Sequence, residues 1–231
     1  MLDLSRQRYY TKCCWVLTCV AACALVLLLD VGWRYARAFD LDLIRARVEK
    51  MYGLAGESAQ RFDAWQTLLE EQRSKSEVEQ LQAVNRFFNM RLRFRDDQEL
   101  WRVADYWATP VEALIKGAAD WEDFAIAKYF SLRELGIPSE KLRITYVKAL
   151  ALDQAHMVLT YYPQPNATPL VLDNLIDAIR PANERKDLLP VYAFNAEGLW
   201  MGGGASRHVG DSKRLSRWQD LLRKMRSEGF P

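Results

Sequence analysis

Residues 117–162 read GAADWEDFAIAKYFSLRELGIPSEKLRITYVKALALDQAHMVLTYY, and this stretch contains a helical pattern followed by strand patterns. In its first half, apolar residues recur at helical spacing as far as Leu135. Asp120 is suited to cap the start of this helix, and Gly136 with Pro138 is suited to end it. The pattern therefore predicts one long helix over the first half of the stretch.

After this helix the apolar period changes to about two, which is typical of strands. Strands are predicted in the ranges 142–149, 156–162, 170–172, 191–194 and 199–201. Helices are predicted around 62–69 and 78–88, from Thr109 to Gly117, and around 218–225. The helices come mostly first and the strands, expected to be adjacent and antiparallel, come second, so the predicted fold class is α+β.

The composition describes a globular chain whose charge names no partner. The 231 residues are 50% hydrophobic and 27% charged, with a formal net charge of +2. Such a chain buries a core, and its balanced charge gives no indication of nucleic-acid binding. We expect one folded domain over residues 39–231.

The N-terminal segment is predicted to be an export or anchoring signal. Residues 13–29 carry no charge, follow a basic stretch and are followed by Asp30. This uncharged run of 17 residues is at the short limit for a transmembrane helix. The sequence Ala36-Arg37-Ala38 has the small-x-small form of a cleavage site. Residues 1–38 are therefore a cleaved signal peptide or an uncleaved membrane anchor, and both alternatives stay open.

Cysteine usage limits the chemistry of the domain. All four cysteines, Cys13, Cys14, Cys19 and Cys23, lie in the N-terminal segment. Residues after Cys23 therefore offer no disulfide, no thiolate metal ligand and no cysteine nucleophile.

Three positions carry the candidate site chemistry. Acidic residues flank position 121 at the start of the long helix, where exposed N–H groups and the helix dipole stabilise an anion. His156 lies on a predicted strand, 35 residues after position 121, and Asp173 ends the next strand, 17 residues further on. Taken alone, Asp120 is a helix cap and His156 a half-buried strand residue.

Six short segments carry a family resemblance: YWATP at 106–110, KYF at 128–130, TYVKA at 145–149, HMVL at 156–159, LDNL at 172–175 and PVY at 190–192. Together they make residues 95–200 resemble the bacterial transglutaminase-like cysteine proteinases, the family of LapG-like periplasmic proteases. The resemblance implies a papain-like or transglutaminase-like fold and a Cys-His-Asp triad. It also implies a calcium ion beside the nucleophile.

Carried over by position, the resemblance makes His156 the general base and Asp173 the residue that orients it. Asp120 and Glu122 match the calcium ligands, with Asp123, backbone carbonyls or waters completing the shell. The implied setting is the periplasm or the outer face of the inner membrane. The implied partners are a large surface adhesin as substrate and an inner-membrane cyclic-di-GMP receptor.

The chain departs from the family at the nucleophile, where Trp121 stands. An indole has no acidic proton near neutral pH and no lone pair suited to acyl attack. Three interpretations stay open: an impaired endopeptidase, a pseudoprotease that binds adhesin or receptor without cutting, and a single-base change from a cysteine codon by error or design. We predict that the large indole either plugs the cleft or swings outward.

Other polar and aromatic features receive less specific predictions. His208 is expected to have no catalytic role, and Gly202-Gly203-Gly204 is expected to be a connector. Trp101, Tyr106 and Trp107 are interpreted as core residues, with a substrate groove as the alternative.

Overall fold

The computed structural model describes residues 39–202, 208–212 and 215–231. The predicted signal or anchor at 1–38, and Gly203 and Gly204 of the predicted connector, lie outside the described residues. Within the described ranges, no helix combines the length and the apolar character needed to cross a bilayer.

The helices of the described chain are α1 (Leu41–Tyr52), α2 (Gly56–Gln72), α3 (Glu77–Arg91), α4 (Asp97–Leu100), α5 (Pro110–Lys116), α6 (Trp121–Glu134) and α7 (Ser216–Glu228). The amphipathic patterns around 62–69 and 78–88 form α2 and α3, and the helix predicted after Asp120 forms α6. α1 was not predicted from the sequence, although Asp40 caps it by accepting a hydrogen bond from Leu43 N.

The strands are β1 (Arg93–Phe94), β2 (Ala118–Ala119), β3 (Leu142–Ala149), β4 (Gln154–Tyr161), β5 (Leu170–Leu172), β6 (Arg180–Pro181), β7 (Leu188–Phe194), β8 (Leu199–Met201) and β9 (His208–Gly210). Seven of them form one antiparallel sheet in the order β6-β5-β4-β3-β7-β8-β9. The predicted α+β class with an antiparallel sheet is confirmed. The short strands β2, β6 and β9 were not predicted from the sequence.

Helix α6 is the centre of the core. It packs on β4 and β3 on one side and on α3 and α5 on the other. Nearly all of its residues from Asp123 to Leu132 are buried, because small and apolar side chains cover every face of the helix. The helix is therefore fixed in position, and so is its first residue, Trp121.

The segment that precedes α6 is set by two local features. Thr109 and Glu112 form a capping box at the start of α5, and Gly117, at φ 64°, ends that helix in the left-handed region. The chain then runs into β2, which pairs in parallel with β1 and places Phe94 opposite Ala119. This pairing brings Phe94 to the amino end of α6.

Candidate active site

A cleft of about 750 Å³ opens between the amino end of α6 and the sheet. Trp121 and Glu122 line it from the helix, whereas Tyr146, His156 and Tyr192 line it from three neighbouring strands. Tyr146 and Tyr192 stack in parallel, with their ring centroids 5.0 Å apart. The fold thus gathers the three predicted catalytic positions around one cavity and its buried wall.

Strand register brings His156 and Asp173 together. Leu159 pairs with Leu172 across β4 and β5, so His156 and Asp173 lie at the same end of the two strands. His156 Nε2 and Asp173 Oδ1 are 2.8 Å apart, and both side chains are almost fully buried. This contact is the base–carboxylate pair of a triad.

The protonation of Asp173 decides which nitrogen of His156 carries the proton. Burial favours the neutral acid, but hydrogen bonds from His156, Leu175 N and Arg185, with the His156 charge, outweigh it and lower the pKa of Asp173 to about 2. An ionised carboxylate only accepts, so Nε2 donates. In a neutral imidazole Nδ1 is then an acceptor, and it is buried without a hydrogen-bond partner among the described residues.

The indole of Trp121 occupies the space beside this imidazole. It stacks on Phe94 with ring centroids 5.3 Å apart at 24°, and it meets His156 edge to face at 5.5 Å and 88°. The indole lines the cleft and does not fill it, because about 750 Å³ stays open, so the prediction that it plugs the cleft is wrong. The alternative of an outward-swung side chain is wrong.

Arg185 also belongs to this group, although no pattern along the chain indicated it. Its Nη2 donates to Asp173 Oδ2 at 2.6 Å, and its side chain is 2% exposed. No periodicity or spacing marks this arginine, which reaches Asp173 from a separate turn at 182–184.

Three carboxylates lie close together at the amino end of α6. One oxygen from each of Asp97, Asp120 and Glu122 lies within 4.8 Å of the others. Burial and the neighbouring acids raise the pKa of Asp120, and burial likewise raises the pKa of Glu122 to about 7. Such crowding of negative charge is what a bound cation relieves.

The donor set of this acidic group fits calcium. Carboxylate oxygens are hard ligands, and Asp97 Oδ1 is buried without a hydrogen-bond partner among the described residues, which leaves it available to an ion. Asp97 was not predicted as a ligand, whereas Asp120 and Glu122 were. Asp123, one of the candidates to complete the shell, accepts a hydrogen bond from Ala108 N through Oδ1 at 2.6 Å, whereas its Oδ2 is buried without a hydrogen-bond partner among the described residues.

Among the remaining predicted residues, Trp107 is the one that lines the cleft. Trp107 is 7% exposed and stacks on Phe194, yet it also lines the cleft, so the core and groove interpretations both apply to it. Trp101 and Tyr106 stack on each other at 4.3 Å outside the cleft lining. His208 lies on the edge strand β9, edge to face with Trp200, and does not line the cleft.

Comparison with known proteins agrees with this geometry. Residues 59–189 match the model of the bacterial transglutaminase-like cysteine proteinase family. Legionella pneumophila LapG is 42% identical, with a TM-score of 0.71, and the match covers 82% of this chain and 99% of that one. A search of curated proteins gives no significant match.

Two further structures of the same relative concern calcium. EGTA-treated Legionella pneumophila LapG is 43% identical with a TM-score of 0.72, over 82% of this chain and 99% of that one. The calcium-bound form is 42% identical with a TM-score of 0.70, over 80% and 98%. By its sequence motifs, its fold and these matches, the chain belongs to the bacterial transglutaminase-like cysteine proteinase family.

Proposed function

We propose that this chain is a calcium-binding pseudoprotease: a family member that binds a protein ligand in its cleft without cutting it. The observation that carries the proposal is the indole of Trp121, which lies edge to face against His156 at 5.5 Å, where the triad requires a thiol. All cysteines lie at or before Cys23, so no other thiol of the domain replaces it.

The chemistry of the site explains why hydrolysis should be lost. His156 Nδ1 is placed to accept a proton, but Trp121 offers neither an acidic proton nor a nucleophilic lone pair. Removing the nucleophile of a hydrolytic triad costs on the order of 10⁶ in kcat, about 8 kcal/mol of transition-state stabilisation. We therefore expect no measurable peptide hydrolysis.

Binding requires only the parts of the site that remain. The cleft keeps about 750 Å³ and an aromatic wall that includes Trp107, Tyr146 and Tyr192, which suits the side chains of an extended peptide. We propose a large surface adhesin as the ligand, and the periplasmic domain of an inner-membrane cyclic-di-GMP receptor as the alternative. The support for both is membership of the family.

The location we propose is the periplasm. Its support is the uncharged run 13–29 behind a basic stretch, as in a signal peptide or an inner-membrane anchor. In either case the domain that carries the cleft is outside the cytoplasm. Calcium is also available there.

Calcium binding is proposed at Asp97, Asp120 and Glu122. The support is the convergence of three buried or half-buried carboxylates within 4.8 Å, together with the calcium-bound structure of a relative. Calcium takes six to eight oxygens, so backbone carbonyls and waters complete the shell. Bound there, the ion would screen the carboxylates that flank Trp121.

A second function, endopeptidase activity, is favoured by one observation: the His156–Asp173 pair keeps the 2.8 Å contact of a working base. If the codon for residue 121 were misread, or if one base were restored, a thiol would stand beside His156. In that case the chain would be an adhesin-processing protease.

The test separates these functions with three proteins. The codon for residue 121 is sequenced again, and the protein as given is compared with Trp121→Cys and Trp121→Ala on an adhesin fragment, with calcium and with chelator. We expect cleavage by the cysteine form only. The alanine form removes the indole without adding a thiol. Cleavage by this form, or by the protein with Trp121, would refute the proposal.

The binding half of the proposal has its own measurement. Titration of the protein as given with the same adhesin fragment, and separately with the receptor's periplasmic domain, should give saturable binding to one of them. Absence of binding to both would exclude the proposed role as a pseudoprotease. Hydrolysis is not needed for this result.

A further inference from the structure

The carboxylate of Asp173 is held from two sides. Its Oδ1 accepts from His156 Nε2 at 2.8 Å and from Leu175 N at 3.0 Å. Its Oδ2 accepts from Arg185 Nη2 at 2.6 Å. The side chain is fully buried, so the protein rather than water fixes its orientation and its charge.

Arg185 connects this buried carboxylate to the surface. Its Nε donates to Asp187 Oδ1 at 2.9 Å and its Nη2 donates to Asp187 Oδ2 at 2.7 Å, whereas the Asp187 side chain is 39% exposed. Asp187 therefore holds the guanidinium through Nε and Nη2, while Nη2 also donates to Asp173. A rigid planar donor suits this arrangement better than a flexible ammonium.

We propose that Arg185 is a positioning residue: it holds Asp173 as an anion in one orientation and thereby fixes the His156 proton on Nε2. Nδ1 then keeps its lone pair, in a ring that lies edge to face against Trp121. This role goes beyond the proposed function, because it holds whether or not the chain cleaves peptides.

A second buried cation does not replace Arg185. Lys128 on α6 is fully buried near Asp173 and Asp177, but its Nζ has no hydrogen-bond partner among the described residues. Burial lowers the pKa of Lys128 to about 7, so it is only partly charged near neutral pH. A guanidinium stays charged over the whole range, which makes Arg185 the constant positive partner of Asp173.

The test reads the tautomer of His156 directly. The chain has two histidines, so a His208→Gln background leaves one imidazole, whose ring nitrogens are followed by long-range ¹H–¹⁵N correlation near pH 8. In the unsubstituted protein, we expect the neutral form of the imidazole to carry its proton on Nε2 and not on Nδ1. A neutral imidazole with its proton on Nδ1 would overturn the proposal at once.

Four variants then isolate the contribution of Arg185. In Arg185→Met and Arg185→Gln, we expect the share of the neutral imidazole that carries its proton on Nε2 to fall by at least about half, because Asp173 loses the cation that holds it as an oriented anion. Arg185→Lys should retain most of it. Arg180→Met, a matched change at an exposed arginine of β6, should retain all of it.

The outcomes are decisive even if one variant is unstable. Should Arg185→Met fail to fold, Arg185→Gln, which keeps a polar but uncharged and shorter side chain, is compared with Arg185→Lys by near-UV circular dichroism before the ¹⁵N spectra. Unchanged ¹⁵N shifts in a folded Arg185→Gln protein would overturn the proposal. Equal loss in Arg185→Lys and Arg185→Gln would also overturn it, since charge would then not matter.

A kinetic arm uses the Trp121→Cys background. There, Arg185→Gln should lower kcat about tenfold to a hundredfold with KM little changed, as when a group that orients a catalytic ligand is removed. Equal kcat in the two proteins would contradict the proposed role. If the Trp121→Cys protein itself proves inactive, the endopeptidase alternative fails, whereas the ¹⁵N arm still decides the role of Arg185.

Discussion

The amino end of α6 and the ends of strands β4 and β5 both contribute to one site, but only the strands keep the residues that a thiol protease needs there. On the strands, His156 contacts Asp173 at 2.8 Å and Asp173 contacts Arg185 at 2.6 Å. On the helix, Trp121 stacks on Phe94. The difference is that strand register brings His156 to Asp173 through contacts that do not include residue 121, whereas the nucleophile depends on that one residue.

The largest expected effect is the loss of kcat when His156 is replaced in a protein whose nucleophile has been restored. In Trp121→Cys, the further change His156→Gln should remove activity by up to about 10⁶ in kcat, since a triad loses about as much with its base as with its nucleophile. Steady-state cleavage of an adhesin fragment measures it. His208→Gln is the matched control and should cleave normally; equal loss from both changes would contradict the assignment of His156.

A large effect on the free energy of unfolding is expected at Lys128, a buried residue of α6. Its pKa is lowered from 10.5 to about 7 by burial, so between these values the unfolded chain binds more protons than the folded one. Its contribution to the unfolding free energy therefore rises with pH, by up to about 1.4 kcal/mol per pH unit, and levels off above 10.5. Lys128→Met should remove this slope.

The measurement is urea denaturation of both proteins from about pH 6 to pH 10. We expect Lys128→Met to be the more stable protein near pH 6, by a few kcal/mol, and the difference to shrink as pH rises. Lys148→Met, at a half-exposed lysine, should follow the original curve. A constant difference across this range would show that the Lys128 ammonium is not destabilised by burial.

Calcium should stabilise the folded protein without restoring peptide hydrolysis. At 100 times the dissociation constant, an ion that binds only the folded state adds about 2.7 kcal/mol. The melting temperature of the protein as given should therefore rise with calcium and fall back with chelator. Glu122→Gln should reduce the shift, whereas Glu99→Gln, at an exposed site, should not; equal shifts in both variants would exclude Glu122 as a ligand.

The smallest effect is expected from loosening the indole. Phe94 is 39% exposed and stacks on Trp121, and an aromatic pair of this kind contributes about 0.5–1.5 kcal/mol. Phe94→Ala should lower stability by about this much and move the His156 ring-proton signals, because the indole over the imidazole becomes free to turn. Phe87→Ala serves as the control, and unmoved His156 signals in Phe94→Ala would show that stacking does not hold the indole.

Local patterns predicted the elements that depend on neighbours in the chain. Asp120 caps α6 and Gly117 ends α5, as their sequence positions indicated, because capping involves residues only a few positions apart. His156 and Asp173 were assigned through the family resemblance, and the strands bring them into contact. Pattern alone would have left His156 a strand residue with no assigned partner.

The parts of the site that were missed come from distant segments. Asp97 joins Asp120 and Glu122 only because β1 pairs with β2 ahead of α4. Arg185 reaches Asp173 from a turn after β6 that has no readable period. Long-range contacts of this kind leave no trace in the spacing of residues along the chain.

Two features of the domain follow from the order of its residues alone: no thiol follows Cys23, and an indole stands first in α6. The packing of the fold was needed to bring this indole onto Phe94 and against His156, and to bring Arg185 to Asp173. The reason is physical. Composition and helix capping are set by residues close in the chain, whereas side-chain direction, burial and charge pairing are set by whichever distant segments the fold packs around them.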